Sequence, residues 1–184
     1  TLSMGVRQAF GLFLPPMGPD LQVGRESFGL AVAVQNLLFG LAQPFVGAWA
    51  DRHGAGKVIA GGGLLYLLGL AVAAVAADFM GLMLGFGVMV GLAMAGATFV
   101  VVLGAVGRIA PPHKRTLAFG IVTAGGSLGQ FLVVPLAQVF IDAFDWRIAL
   151  WLLAGLIVLI LPLAIGLKGK PEGAGAADGL PLKE

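Results

Sequence analysis

The chain has 184 residues, of which 59% are hydrophobic and only 11% are charged, and its mean hydropathy is +0.99. Roughly a quarter of the residues in soluble domains are charged, so this composition excludes a soluble globular protein and indicates a membrane protein. The formal net charge of +2 does not indicate nucleic acid as a partner, because the basic residues are scattered and form no basic face. The absence of cysteine excludes disulfides and thiol chemistry.

The first apolar run covers residues 1–17 and contains Arg7. Only about fourteen residues precede Pro15 and Pro16, whereas a membrane-spanning helix needs about twenty. Because proline disfavours continuation of a helix, we expect a truncated first helix that ends near Met17. A cleaved signal peptide is the alternative, but Arg7 interrupts the run and no small-residue cleavage pattern follows it.

Five longer runs without a charged residue follow, and each can cross a hydrocarbon core about 30 Å thick. They are residues 27–50, 58–77, 79–107, 116–141 and 148–167. The predicted fold is therefore an all-α membrane protein with six transmembrane helices, the first truncated, formed by residues 1–167. Residues 168–184 consist mainly of glycine, alanine, proline and charged side chains, which is typical of a flexible linker.

The basic residues are distributed unequally between the two sides of such a six-helix unit. One side carries the loops 51–57 and 108–115 and the C-terminal tail, which together contain Arg52, Lys57, Arg108, Lys114, Arg115, Lys168, Lys170 and Lys183. The other side carries only Arg25 and Arg147. Because Lys and Arg are retained in the cytoplasm, we expect both loops and the tail to be cytoplasmic, in a bacterial inner (plasma) membrane.

The stretch "GAWADRHGAGK" lies between the second and third predicted helices. In it Gly47, Asp51, Arg52, Gly54 and Lys57 form the pattern G-x-x-x-D-R-x-G-x-x-K. Any short inner loop carries basic residues and a turn glycine, but that does not account for an acid directly before the arginine or for a glycine one helical turn earlier. The pattern resembles the loop signature of the major facilitator superfamily.

This resemblance implies the N-terminal half of a twelve-helix carrier, built as two inverted three-helix repeats and joined by the linker to a C-terminal half. It also implies that Asp51 and Arg52 belong to a cytoplasmic gating motif, which latches the two halves together when the carrier opens outward. In that motif Gly47 would permit the close approach of a neighbouring helix and Gly54 would permit a tight turn. Lys57 is the basic residue that ends the motif.

Two further segments carry a closer resemblance. "GVRQAFGLFLPPM" and "RIAPPHKRTLAFGIVTAGGSLGQ" resemble the monocarboxylate and oxalate/formate carriers of the superfamily. The implied function is secondary active transport of a small organic anion, a monocarboxylate, by alternating access, coupled to a proton or a counter-substrate. A carrier of drugs or sugars, and a non-transport scaffold that binds other helices through its glycine-rich faces, are the alternatives.

Arg7 is the principal candidate for contact with the substrate. It lies about ten residues before Met17, and therefore about 15 Å from that end of the helix, near the bilayer midplane. An arginine at this depth is costly unless it faces water or a partner. A substrate carboxylate held by two hydrogen bonds would be such a partner. A structural pair with an acid of the other half, and a helix end displaced toward the interface, are the competing interpretations.

Four amide side chains within the spans are weaker candidates for the same site. Gln8 follows Arg7, and Asn36 and Gln43 are seven residues apart and therefore share one face of a helix. Gln130 lies in the fifth predicted span. These amides either line the substrate cavity or form hydrogen bonds between helices.

The sequence predicts no enzyme activity, no metal site and no cofactor. "GGSLG" matches the G-x-S-x-G pattern of serine hydrolases, but His53 and His113 are the only histidines and lie outside the predicted spans. Two histidines in separate loops do not make a metal site. Glycines spaced four apart instead indicate close helix packing, at Gly125 and Gly129, Gly81 and Gly85, and Gly87 and Gly91.

Overall fold

The computed structural model describes residues 2–97, 99–159 and 162, in which the regular secondary structure is helical. The helices are α1 (Leu2–Ala9), α2 (Leu14–Leu21), α3 (Arg25–His53), α4 (Ala55–Ala74), α5 (Phe79–Leu82), α6 (Val90–Ala97), α7 (Phe99–Ile109), α8 (Arg115–Ala143) and α9 (Trp146–Val158). Two short 3₁₀ segments, Phe10–Phe13 and Pro112–Lys114, and a π-helical segment, Met83–Met89, lie between them.

Four helical stretches in the described residues are long and apolar enough to cross a membrane, namely Arg25–His53, Ala55–Ala74, Phe79–Gly107 and Pro112–Ala143. They coincide with the second to fifth predicted spans and confirm an all-helical membrane protein. Helix α9 is shorter and begins the last predicted span. The end of that span and the predicted linker, residues 168–184, lie outside the described residues.

The N-terminal helix continues past its two prolines, so the predicted end near Met17 is wrong. Pro15 and Pro16 lie at the beginning of α2, where a missing backbone N–H breaks no hydrogen bond of that helix. The helix ends at Leu21, and Gln22 follows in a left-handed conformation with its N–H donated to the Gly18 carbonyl. Measured from Leu21, Arg7 lies about 21 Å along the helix axis, compared with the distance of about 15 Å predicted from Met17.

Glycines bring the helices into close contact, as their spacing predicted. Helix α1 packs against α8, α3 against α6, and α4 against both α6 and α9. A Cβ atom on Gly5 would lie 2.5 Å from the carbonyl oxygen of Gly129, and one on Gly85 would lie 2.6 Å from the backbone nitrogen of Ala73. Side chains at these positions would push the backbones apart, so the small residues determine the packing distance.

Helices α3 and α8 are the least buried of the long helices. Within the chain, only 11% of the apolar window of α3 and 17% of that of α8 is buried, compared with 50% for α4. Their exposed side chains include Phe45, which is 76% exposed, and Phe131, which is 74% exposed. Apolar surface of this extent requires a covering of lipid or of further helices.

Candidate substrate site and gating motif

The tight packing of α1 against α8 determines where the Arg7 side chain lies. The contact between Gly5 and Gly129 holds α1 two residues before Arg7. Val6 and Ala9 on the neighbouring positions are completely buried, whereas Arg7 itself is half-buried and Gln8 is exposed. The guanidinium group therefore lies at the edge of the helix bundle and not in its closed interior.

The principal contact of Arg7 is with Asn36 of α3. An Nη2 N–H of Arg7 donates a hydrogen bond to Oδ1 of Asn36. The orientation of that amide follows from a second bond, because Nδ2 of Asn36 donates to the carbonyl oxygen of Val32 at 2.7 Å. The guanidinium carbon also lies 5.8 Å from the centre of the Phe39 ring, within the range of a cation–π contact.

No carboxylate pairs with Arg7 in the part of the chain that the structure describes. Its partners there are a neutral amide and an aromatic face, which together occupy a small part of its donor capacity. A guanidinium group has five N–H donors. The site therefore combines a fixed positive charge with N–H groups that an incoming anion can use.

Beside Arg7, buried hydrogen bonds join α1 to two other helices. Ser3 lies one turn before Arg7, and its hydroxyl donates to the Ala97 carbonyl of α6 at 2.8 Å. The hydroxyl of Tyr66 on α4 donates to the Ser3 carbonyl at 3.2 Å. Ser3 and Tyr66 are both completely buried. These bonds fix the position of α1 and are not accessible to a substrate.

Gln35 is a buried polar residue that the sequence reasoning missed. Its Nε2 donates to the Phe86 carbonyl of the π-helical segment at 2.9 Å, and the side chain is 1% exposed. π-helical turns within α-helices occur frequently at functional sites. The available signal was an amide directly beside Asn36 in an apolar span. Gln35 and Asn36 thus tie α3 to two helices.

The remaining predicted amides do not join Arg7 through hydrogen bonds within the described residues. Gln8 is exposed, and Gln130, which follows Gly129, is half-buried, so the two flank the contact between α1 and α8. Gln43 is half-buried and lies two turns along α3 from Asn36, on the same face. The structure therefore brings Asn36 to Arg7 and leaves the other three amides at the edges of the same region.

The sequence predicts a loop over residues 51–57 of the gating motif. This prediction is wrong, because only Gly54 lies outside a helix there. Asp51 and Arg52 lie in the last turn of α3, and both are exposed. Only Gly54 separates α3 from α4, and its φ of +93° is a conformation that other residues rarely adopt. The tight turn expected at Gly54 is thus confirmed, and it is tighter than the motif alone predicted.

The other two motif residues are less constrained by the chain itself. Nothing lies within 4 Å of a Cβ atom built on Gly47, so none of the described helices makes the close approach expected there. Lys57 lies in the first turn of α4 and is exposed.

A second arginine has a different environment at the start of α9. Nη1 of Arg147 donates to the carbonyls of Ala74 and Ala76, each at 3.0 Å, at the end of α4. Its guanidinium carbon lies 4.3 Å from the centre of the Trp146 ring. The indole N–H of Trp146 donates to Oδ2 of Asp20 at 2.8 Å. This cluster ties α9 to α2 and to the end of α4.

The sequence matches the family model of the Major Facilitator Superfamily over residues 1–180. The chain belongs to the Major Facilitator Superfamily. Monocarboxylate transporter 11 from Homo sapiens is 32% identical over 165 residues, which are 88% of this chain and 34% of that protein. Its counterpart from Mus musculus is 33% identical over 88% of this chain and 36% of that protein. Monocarboxylate transporter 14 from Homo sapiens is 30% identical over 98% of this chain and 36% of that protein.

These similarities confirm the resemblance to the superfamily and to its monocarboxylate branch. The chain spans about a third of the length of the relatives that it matches. Membership of this superfamily, together with the apolar helices, indicates an integral membrane protein and points to transport of a small molecule, not to an enzyme. In the described residues, no group of three or more His, Asp or Glu side chains is arranged to hold a metal ion.

Proposed function

We propose that this chain is the N-terminal half of a secondary carrier that moves a small organic anion, a monocarboxylate, across the membrane by alternating access. The observation that carries the proposal is the environment of Arg7. Its charge lies within a helix of the membrane unit, half-buried, and its hydrogen-bond partner is the neutral amide of Asn36.

A buried or half-buried charge without a counter-ion is costly in a medium of low polarity. A substrate carboxylate would lower that cost, because it brings one negative charge and two oxygens that match the guanidinium fork. Asn36 would keep one N–H engaged and orient the remaining donors. The bound state would then be the better compensated state of the site, which is the requirement for anion selectivity.

A monocarboxylate fits this site better than a sugar or an uncharged drug. One cation lies within the described part of the first helix, and it requires one anionic group. The names of the matched relatives, monocarboxylate transporters, favour the same substrate class. We assign Gln8, Gln43 and Gln130 to the polar substituents of the substrate, since they lie at the edges of the same region.

The arrangement of six helices as inverted three-helix repeats is supported by the likeness of α3 and α8. Each has 29 residues, and each contains one proline close to its twentieth position, Pro44 in α3 and Pro135 in α8. The contacts are related in the same way, because α1 packs against α8 and the fourth span packs against α3. If the first three-helix repeat is superposed on the second, the contact between the first and fifth spans corresponds to the contact between the fourth and second spans.

The C-terminal half is proposed to cover the exposed faces of α3 and α8, with residues 168–184 as the connecting linker. Phe131 would then be buried between the halves, and Gly47 would receive the close helix that the described chain lacks. The substrate would lie near the midplane between the halves. Rocking of one half against the other would expose Arg7 to each side in turn.

The gate is proposed to lie at the turn between α3 and α4. Asp51 and Arg52 are exposed in the last turn of α3 and are therefore accessible to the other half. The excess of basic residues on this side supports a cytoplasmic position. The carrier would be driven by a proton or a counter-substrate, and removal of the Asp51 charge should impair exchange while folding is retained.

The decisive experiment compares an anion with its neutral analogue. The protein, expressed from its natural reading frame, is reconstituted in proteoliposomes, and uptake of labelled lactate is measured in competition with unlabelled lactate or lactamide. Lactate should compete and lactamide should not, because only the carboxylate can compensate Arg7. In Arg7→Gln this discrimination should disappear.

Equal competition by lactate and lactamide would contradict the proposed role of Arg7. Competition by sugars or by uncharged drugs instead of carboxylates would favour a different carrier class. If the protein is folded and retains a helical partner but takes up no carboxylate, sugar or uncharged drug, the result would favour the non-transport scaffold. Gln138→Ala is the matched control, because its amide bonds to Asp142 at the exposed side of α8.

A further inference from the structure

A groove of about 440 Å³ lies between α3 and α4 and is separate from the Arg7 site. Helix α6 contributes Leu92 and Gly96 to its wall. The groove extends along α4 from Lys57 to Leu65, a distance of about 12 Å. It therefore has the shape of a channel that runs along two membrane-spanning helices.

Glycines create the space in this groove. Nothing lies within 4 Å of a Cβ atom built on Gly61, so that position opens directly into the groove. At Gly62 the opposite holds, because a Cβ atom there would lie 2.9 Å from the backbone of Gly96. The close approach of α4 and α6 closes the base, and the missing side chain of Gly61 leaves the channel empty of protein atoms.

One end of the groove is polar and the rest is apolar. Lys57 and His53 line that end, and both are exposed. His53 Nδ1 lies 3.3 Å from the Trp49 carbonyl oxygen, and its ring meets the Trp49 indole edge-on at 5.8 Å. Further along the groove, the lining is aliphatic, as at Val46.

The groove faces neither the substrate site nor the acid of the gating motif. Trp49 and His53 are four residues apart and share one face of α3, whereas Asp51 lies two residues from each and so on the opposite face. Asn36 is displaced from Trp49 by about 220° around the same helix. The groove therefore belongs to the outer surface of the unit, with a net positive charge at its polar end.

We propose that this groove binds an anionic phospholipid. One acyl chain would lie along Gly61 and Val46, and the phosphate would lie between Lys57 and His53. A channel on the side of two membrane-spanning helices is filled by hydrocarbon chains, and its cationic end selects a negatively charged headgroup over a zwitterionic one. Trp49 lies at the level of that end, where aromatic residues meet lipid headgroups.

The proposal can be tested with two variants that change different parts of the lipid site. Gly61→Leu fills the channel and meets no protein atom within 4 Å of its Cβ, so the fold should tolerate it. Lys57→Gln removes the charge and leaves the channel open. Gly155→Leu on α9 is the matched control, since its Cβ also meets no atom within 4 Å.

The protein is placed in nanodiscs of phosphatidylcholine that contain a small fraction of photoactivatable phosphatidylglycerol, or of photoactivatable phosphatidylcholine in a parallel sample. Cross-linked peptides are then quantified by mass spectrometry. Phosphatidylglycerol should label residues 46–65 preferentially. Lys57→Gln should reduce that labelling about fivefold, the factor that corresponds to about 1 kcal/mol per basic residue near an anionic lipid, without changing the labelling by phosphatidylcholine.

Gly61→Leu should reduce labelling by both lipids, and Gly155→Leu should change neither. Equal labelling of the groove by the two lipids in the unchanged protein would overturn the proposed selectivity. Unchanged labelling in Gly61→Leu would show that no chain occupies the channel. Cross-links from residues 46–65 to another protein segment, in place of lipid, would assign the groove to a protein partner and overturn the proposal. Circular dichroism of each variant establishes that it is folded.

Discussion

Arg7 and Arg147 are both half-buried arginines in apolar helices, but their guanidinium groups have different partners. Arg147 donates to two backbone carbonyls at the end of α4 and stacks on Trp146. Arg7 donates to one side-chain amide of Asn36. The difference teaches that two arginines in apolar helices can be bonded differently by one fold, Arg147 by two backbone carbonyls and Arg7 by a single side-chain amide.

The positions of the two residues explain why their partners differ. The last carbonyls of a helix have no partner within that helix and carry partial negative charge. Arg147 reaches such carbonyls at Ala74 and Ala76. Arg7 lies beside the middle of α3, and there the side-chain amide of Asn36 accepts from it.

The largest expected effect follows from removal of the Arg7 charge. Arg7→Ala should lower kcat/KM for lactate uptake by about 30-fold to several thousand-fold, since loss of one partner of a charge pair costs about 2–5 kcal/mol. Arg7→Lys should retain part of the activity because the charge stays and the two-pronged geometry is lost. Uptake in proteoliposomes measures both. Unchanged kcat/KM in Arg7→Ala would remove the distinction between the two arginines.

The next effect comes from giving Arg7 the counter-ion that it lacks. Asn36→Asp places a carboxylate where the amide oxygen now accepts from Arg7, so that the guanidinium becomes a structural group. Competition with the substrate should raise KM about 30-fold, corresponding to about 2 kcal/mol. Asn36→Gln is the control that keeps a neutral amide. A lower KM in Asn36→Asp would contradict the proposed binding of an anion.

A smaller effect, on stability instead of transport, is expected at the other arginine. Arg147→Ala should reduce the free energy of unfolding by about 1.5 kcal/mol, the lower end for hydrogen bonds to a charged group. The midpoint of thermal unfolding in detergent measures this loss, and KM for lactate should not change. A tenfold rise in KM with unchanged stability would place Arg147 in the transport site and reverse the comparison.

The smallest effect is expected at the buried bond between Tyr66 and Ser3. Tyr66→Phe removes a hydroxyl that donates at 3.2 Å, and a hydrogen bond between membrane helices contributes about 0.6 kcal/mol on average. The midpoint of thermal unfolding should fall slightly, and uptake should remain within about twofold, about 0.4 kcal/mol. A tenfold loss of uptake would show that Tyr66 acts on the site together with Arg7.

Much of the fold was predictable because the relevant signals are local. Uninterrupted apolar runs predicted the four long helices, since each run must satisfy its own backbone within the bilayer. Glycine spacing predicted the close contact at Gly129, and the motif predicted the turn at Gly54. The unusual position of Arg7 was also visible, because a charge within an apolar run contrasts with its neighbours.

The errors concern the positions at which helices end. Pro15 and Pro16 indicated a helix end, but the 3₁₀ segment before them allows the helix to continue to Leu21. Asp51 and Arg52 indicated a loop, yet both residues belong to α3, which ends at His53. In each case the residues that indicated an end are compatible with a helix where they lie: the two prolines are in the first turn of α2, and Asp51 and Arg52 are exposed in the last turn of α3.

The candidate site was predictable only in part. The sequence identified Arg7 and Asn36 separately, but the two are 29 residues apart and only the packing of α1 and α3 brings them together. Gln35 was missed because its partner is a backbone carbonyl of the π-helical segment, 51 residues further along the chain. The residues around Gln35 contain no pattern that predicts this contact.

By itself the sequence determined that the chain is a helical membrane protein with one arginine in its first predicted span. The reason is that composition and the long uncharged runs indicate directly which segments can cross a membrane. Only the tertiary structure decided which hydrogen-bond acceptors each arginine reaches. The physical reason is that the hydrogen-bond acceptors among the described residues are distributed over several helices. Which of them reaches a given guanidinium depends on how the helices pack.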